Sequence, residues 1–350
     1  MRAVQITELT GPDSVRVADA EDPAPGPGQV LIEVRAAGVT FPDVLMTRGE
    51  YQIKPDPPFV PGSEVAGVVR EAAEGFEQGQ RVAAFPGIGG FAELAAVDAE
   101  RVFPLPEQVP FDAAAGMPTN YLTVHFALAR RGRLRAGETV LVHGASGGVG
   151  TAAVQLASVL GARVIAVVSQ ESKVEAARSA GAQHVVLAEG FRDAVAELVG
   201  KRGVDLVVDP VGGDRFTDSL RTLRDEGRLL VIGFTAGEIP TVKVNRLLLN
   251  NLDVVASAGA RSAVPDRNIR GSSGRSCCRT WNPAGCARWS VPPTRSRTPR
   301  TRFGNSISAE RPGKCCCGPD RLNARGRFPA APGAGWWRRT SAPPRATSRS

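Results

Sequence analysis

The 350 residues carry 43 Lys and Arg against 35 Asp and Glu, a net charge of +8 that is the sum of two unlike segments. From Met1 to Ala260 there are 24 basic and 32 acidic residues (24 − 32 = −8), and from Arg261 to Ser350 there are 19 and 3 (19 − 3 = +16). No apolar run approaches the ~20 residues that cross a bilayer as a helix, and the first 260 residues contain no cysteine, so neither a helical membrane span nor a disulfide framework is expected there.

The chain opens with Met1-Arg2-Ala3-Val4-Gln5-Ile6, which reads as a strand and lacks the apolar core of a signal peptide; a cytoplasmic location is the default expectation. Up to about residue 120, short β-type runs (Val30–Val34, Glu64–Val69, Arg81–Phe85) alternate with Pro/Gly turns such as Pro25-Gly26-Pro27-Gly28. This predicts a small, mostly antiparallel domain over residues 1–120. From about 121 to 260 the rhythm becomes strand, helix, strand. Strands are expected at Thr139–His143, Arg163–Ser169, His184–Leu187, Val204–Asp209, Arg228–Phe234 and Leu252–Ala256, with helices at Gly150–Leu160 and Ser172–Ala180. Six apolar strands with helical crossovers between most of them predict a doubly wound parallel sheet, an α/β architecture.

The first of those strands runs into Gly144-Ala145-Ser146-Gly147-Gly148-Val149-Gly150. Gly144 permits the sharp turn, Gly147 lets backbone amides approach a pyrophosphate, and Gly150 allows helix to pack closely on sheet. A flexible loop would not explain the apolar helix that follows. Cofactor choice is set after the second strand, where a carboxylate suits a ribose hydroxyl and a basic or hydroxyl residue suits a 2′-phosphate. Ser169 and Lys173 favour NADPH, although Glu171 stands between them and Lys173 also reads as a solvated residue of a helical first turn. Of the histidines, His125, His143 and His184 all read as packed positions.

Beyond residue 260 the chain changes character. All six cysteines (Cys277, Cys278, Cys286, Cys315, Cys316, Cys317) and all four tryptophans lie there, with no period long enough to build a core. GC-rich coding DNA read out of frame has this composition, because CTG leucine codons read one base late become cysteine or tryptophan codons. Taking each codon from the third base of one residue and the first two of the next, Ser276–Ser296 is compatible with LLPDLESGGLRPLVGATYPL, the run on to Ile307 with EDAADALRQLD, and Pro312–Gly318 with GKVLLR. The expectation for residues 261–350 is an aberrant, frameshifted and disordered tail. A chain with such a tail is expected to aggregate readily and to bind NADPH weakly at best. The Arg-rich tail also admits another class, a nucleic-acid binder held by phosphate attraction, but any disordered Arg-rich segment would do the same, so no specific nucleic-acid partner is expected.

The runs Ala37–Asp43 (AGVTFPD), Pro61–Gly67 (PGSEVAG), Gly144–Gly150, Asp209–Gly213 (DPVGG) and Gly233-Phe234 resemble the medium-chain dehydrogenase/reductases, specifically their zinc-independent, zeta-crystallin-like quinone oxidoreductase branch. The resemblance covers residues 1 to about 258, and the shifted-frame LVGATYPLEDAADALRQLD and GKVLL resemble the end of that family. It implies a GroES-like catalytic domain followed by a Rossmann domain, and hydride delivery from NADPH to a quinone or an α,β-unsaturated carbonyl. Zinc-dependent members carry a ligand Cys near position 40 and a His where this chain has Ser63; with Thr40 and Ser63 in those places no metal is expected. The resemblance places Thr40 and Asp43 by nicotinamide and substrate, although the family more often has Asn at the position of Thr40. It places Tyr51 as a residue that binds or protonates the acceptor, against the alternative of a loop aromatic packing on Pro55, Pro57 and Pro58. Thr119, Asn120 and Tyr121 resemble residues of the cofactor cleft. Asp209, Val211, Gly212, Gly233 and Phe234 fall at the carboxyl ends of the fourth and fifth strands, where such sheets bind ligands. The family further implies a homodimer formed along the last Rossmann strand, here Leu252–Ala258, and an enoyl or acryloyl thioester reductase is the alternative activity on the same scaffold. Loss of the GKVLL strand from frame is expected to leave an edge of the first sheet bare.

Overall fold

The computed structural model describes residues 1–73 and 75–259, with the backbone of Cys316 and Cys317. Apart from that pair, the expected disordered tail lies outside the described residues. In chain order the elements are β1 (Arg2–Ile6), β2 (Val15–Asp19), β3 (Gln29–Gly38), α1 (Phe41–Thr47), β4 (Glu64–Val69), β5 (Arg81–Ala84), β6 (Leu94–Asp98), β7 (Val102–Pro104), α2 (Phe111–Ala115) and α3 (Pro118–His125). There follow β8 (Thr139–Val142), α4 (Gly148–Val159), β9 (Arg163–Val168), α5 (Val174–Ser179), β10 (His184–Leu187), α6 (Phe191–Val199), β11 (Val204–Asp209), α7 (Arg215–Thr222), β12 (Leu223–Val231), α8 (Asn245–Leu249), β13 (Asp253–Ala256) and β14 (Cys316–Cys317).

Two six-stranded sheets carry the molecule. The first is antiparallel, in the order β14-β3-β4-β5-β7, with β6 also paired to β3. Its core is built from the alternating β-branched residues Val30, Ile32 and Val34 of β3 against Val65, Val69, Val82, Val97 and Val102. Such side chains pack well on a pleated, half-covered surface. The second sheet is parallel throughout, in the order β10-β9-β8-β11-β12-β13, which makes β8 and β11 its centre. Val140, Leu141 and Val142 of β8 lie opposite Leu206, Val207 and Val208 on one side and Val164, Ile165 and Ala166 on the other. All nine are buried. Helices cover both faces, so these strands are apolar at every position instead of alternating.

The differences from the sequence reading have local causes. β3 runs on to Gly38 because β4 pairs along it as far as Glu64. β12 begins at Leu223, where Leu223 meets Val204 across an irregular register. The helix expected at Ser172 starts at Val174, after a 3-10 turn over Glu171–Lys173. His184 is exposed at the start of β10, not packed. Nor is the first sheet bare where it was expected to be, because Cys316 pairs with Gly38 and Cys317 with Ala37. A strand edge is completed by the backbone of any extended segment, whatever its side chains.

Candidate active site

The glycine-rich turn joins β8 to α4 at the centre of the parallel sheet, beside the point where the strand order reverses. Gly144 takes φ +58, a conformation that a side chain resists. Its neighbours tie the turn to both adjoining strands: the His143 amide donates to Val208 O and the Ala145 amide to Val167 O. A Cβ on Gly150 would lie 2.1 Å from Gly144 O and 2.7 Å from the Ala145 Cα, so this glycine is required for the helix to close onto its own turn. A Cβ on Gly147, the N-cap, would sit 3.3 Å from Gly144 O, closer than ordinary packing allows. Ser146 and Val149 complete the loop, Ser146 buried and Val149 packed against the core beneath. The first-turn amides of a helix have no intrahelical partner, and here they open α4, a helix of 12 residues.

The neighbouring loops close around this turn. Asp209 ends β11 at 2 % exposure and accepts the amides of Val211 and Gly212, each at 2.9 Å. Burial pushes its carboxyl above the usual range, against the opposing pull of those amides and of Arg215. Gly212 and Gly213 both have positive φ, and a Cβ on Gly212 would strike the Phe234 ring at 2.9 Å. After β12 the chain passes Gly233 and Phe234 and is stitched back to β11, with Thr235 N donating to Pro210 O and Ala236 N to Val211 O. At the end of β9 the Lys173 ammonium donates to the Ser169 hydroxyl at 3.0 Å, and Lys173 is only 5 % exposed. The reading of Lys173 as a solvated residue therefore does not hold.

On the other sheet, Thr40 caps α1 and both its amide and its hydroxyl donate to Asp43 Oδ2, at 2.6 and 2.7 Å. Both residues are buried. Tyr51 is half-buried and packs against Ile6, Met46 and Phe59. Burial, and then the negative charge of Asp43, holds its phenol above the usual range. Thr119 stands in the first turn of α3, where its amide donates to Glu64 Oε2 at 2.8 Å and its hydroxyl lies 3.5 Å from that of Ser63. Asn120 bonds Gly116 O and presses on the glycine-rich turn, since a Cβ on Gly148 would sit 2.8 Å from its amide nitrogen. Tyr121 bonds Gln155 of α4. Glu64 escaped the sequence reading as a site residue, because nothing in the chain marks a strand-initial carboxyl as the partner of an amide 55 residues away. His143 is fully buried, bonded to the Ser219 hydroxyl and edge-on to Phe191, a packing role.

These positions fit a dinucleotide: a glycine turn at a helix N-terminus that no side chain caps, with a cation and a hydroxyl after the next strand. They do not fit zinc. Zinc takes Cys, His and carboxylate ligands, whereas Thr40 and Ser63 offer hydroxyls, the first already donating to Asp43.

Two family models match the chain, one described as an alcohol dehydrogenase GroES-like domain over residues 26–107 and one as a zinc-binding dehydrogenase over residues 148–270. Quinone oxidoreductase-like protein 2 of Rattus norvegicus is 40% identical over 261 residues, 73% of this chain and 74% of the relative. The quinone oxidoreductase of Thermus thermophilus, solved also in complex with NADPH, is 34% identical with a TM-score of 0.68, over 80% of this chain and 86% of that one. The CurK enoyl reductase is 26% identical with a TM-score of 0.72, over 81% and 88%. With a GroES-like domain, a Rossmann sheet and this degree of identity, the chain belongs to the quinone oxidoreductase-like enzymes of the medium-chain dehydrogenase/reductase family.

Proposed function

We propose that the protein delivers a hydride from NADPH to a quinone or an α,β-unsaturated carbonyl without a metal. The observation that carries this reading is the pairing of the open α4 N-terminus with the buried Lys173–Ser169 contact. Bound NADPH would supply the hydride. The first-turn amides of α4, over Gly148–Gly150, hold the pyrophosphate, and Ala145, Ser146 and Gly147 form the wall of the turn. Lys173 and Ser169 hold the 2′-phosphate, while the loops of Asp209–Gly212 and Gly233–Phe234 and the side of Thr119 border the nicotinamide end. Tyr51, a phenol that keeps its proton at neutral pH, donates to the acceptor oxygen. Thr40 and Asp43 keep the α1 turn rigid beside it.

The resemblance of the scaffold to an enoyl reductase favours one second reading, reduction of an enoyl thioester, since the hydride step is alike and only the pocket differs. NADPH oxidation with a simple quinone and with a short enoyl-CoA separates the two. Faster turnover of the quinone supports the first reading, faster turnover of the thioester replaces it with the second, and turnover of neither by protein that binds NADPH refutes both.

The proposal includes a cytoplasmic homodimer and a frame change near residue 260. Among the described residues β13 is an edge strand with Val254 exposed, and Leu248 and Leu249 of the preceding α8 are 74% and 76% exposed; light scattering on the eluting protein gives the mass. A frame change is supported by the composition break, by family matches that end at residue 270, and by Cys316–Cys317 lying on β3 where the shifted frame reads Leu-Leu. Sequencing the gene through its stop codon decides it: absence of an open shifted frame sinks the idea.

A further inference from the structure

Glu64 opens β4, directly across the ladder from Gly38, and is 0 % exposed. Its Oε1 lies so close that a Cβ on Gly38 would sit 2.2 Å away, with Ala115 O at 2.4 Å. Its Oε2 accepts the Thr119 amide at 2.8 Å. A helix's first amides normally find a partner on the N-cap side chain, but Met117, the N-cap of α3, supplies no such bond. The carboxyl from the other sheet takes its place.

The same helix makes two further close approaches. Asn120 lies against Gly148 at the start of α4, and a Cβ on Gly259, beyond β13, would be 2.4 Å from the Thr123 hydroxyl. One eight-residue helix therefore touches the antiparallel sheet, the glycine-rich turn and the segment leaving the parallel sheet. Gly38 is two residues before Thr40, so the Glu64 side chain joins α3 to the strand end that leads into α1.

We infer that Glu64 is a positioning residue: it clips the start of α3 to the ends of β3 and β4 and so sets the distance between the turn that holds the cofactor and the α1 turn beside the acceptor. This rests on the hydride-transfer reading above. Hydride transfer depends steeply on that distance, a misplacement of about 1 Å costing on the order of 100-fold in rate.

The test compares Glu64→Ala and Glu64→Gln in the full chain by three measurements. These are amide exchange at Thr119, NADPH affinity by fluorescence, and kcat with a quinone together with its isotope effect from 4-deuterated NADPH. Glu64→Ala is expected to speed Thr119 exchange about tenfold or more, to leave NADPH affinity within about threefold, and to lower kcat on the order of 100-fold with a larger isotope effect. Glu64→Gln keeps an acceptor oxygen and is expected to restore Thr119 exchange, kcat and the isotope effect. Unchanged Thr119 exchange in Glu64→Ala, a loss confined to NADPH affinity, or a Gln variant as impaired as the Ala variant would overturn the inference. If Glu64→Ala does not fold, Glu64→Asp, one methylene short of Thr119, is judged by the same outcomes. If the wild-type chain reduces neither acceptor, the hydride reading falls by itself, and Thr119 exchange alone decides whether the clip exists.

Discussion

The molecule contains two turns at which a strand leads into a helix, and they behave oppositely in the structure. After β8, Gly144–Gly150 leads into α4 with no side chain bonded to its first amides. After β3, Gly38–Asp43 also turns into a helix, but Asp43 bends back to take the Thr40 amide and hydroxyl. One helix start has no carboxylate of its own, and the other has taken one from its own first turn. A helix N-terminus is an anion site only where no side chain has filled it.

The largest effect is expected where a side chain is forced into the open turn. Gly150→Val puts carbon against the Gly144 carbonyl and should cost about 3 kcal/mol or more and abolish NADPH binding; thermal melting and an NADPH titration read both, and an unchanged melt would mean that close packing is not what holds this turn.

Next comes the base of the open turn. His143, the residue before Gly144, is buried and its pKa is pushed down to about 3, first by desolvation and then by Arg215. Between pH 6.5 and about 3 the unfolded chain binds a proton that the folded one refuses, so stability is full above 6.5 and falls as pH drops, by about 1.4 kcal/mol per pH unit. Melting temperatures from pH 7 to pH 5 should decline more steeply in the wild type than in His143→Asn; equal slopes would show that the open turn does not stand on a neutral imidazole.

Lys173→Ala is expected to weaken NADPH about tenfold while leaving NADH untouched, the worth of one charge-assisted contact. Equal losses for both cofactors would move the 2′-phosphate elsewhere. The smallest effect belongs to the closed turn: Asp43→Ala leaves the Thr40 donors without their acceptor and should cost about 1 kcal/mol in a denaturant melt. A loss as large as that of Gly150→Val would erase the distinction between the two turns.

The legible parts of this protein were those whose cause is local. Val204–Asp209 and His184–Leu187 have the bounds that their apolar runs suggested, the first buried at every position and the second not. The positive φ of Gly144 and the crowding at Gly150 follow from residues within one turn, so their spacing alone announced them. The closed turn was harder, since Thr40 and Asp43 were noticed through family likeness while their mutual hydrogen bonds are a matter of geometry.

By itself, then, the chain determined the strands of the parallel sheet, a mostly antiparallel first domain and the glycine turn, since periodicity and backbone freedom act over a few residues. Tertiary structure alone decided that Lys173 is buried on Ser169, that Glu64 serves a helix 55 residues away, and that β3 is extended by its partners to Gly38. Those outcomes depend on which surfaces meet once the sheets are formed, and a buried polar group takes whatever partner that meeting supplies.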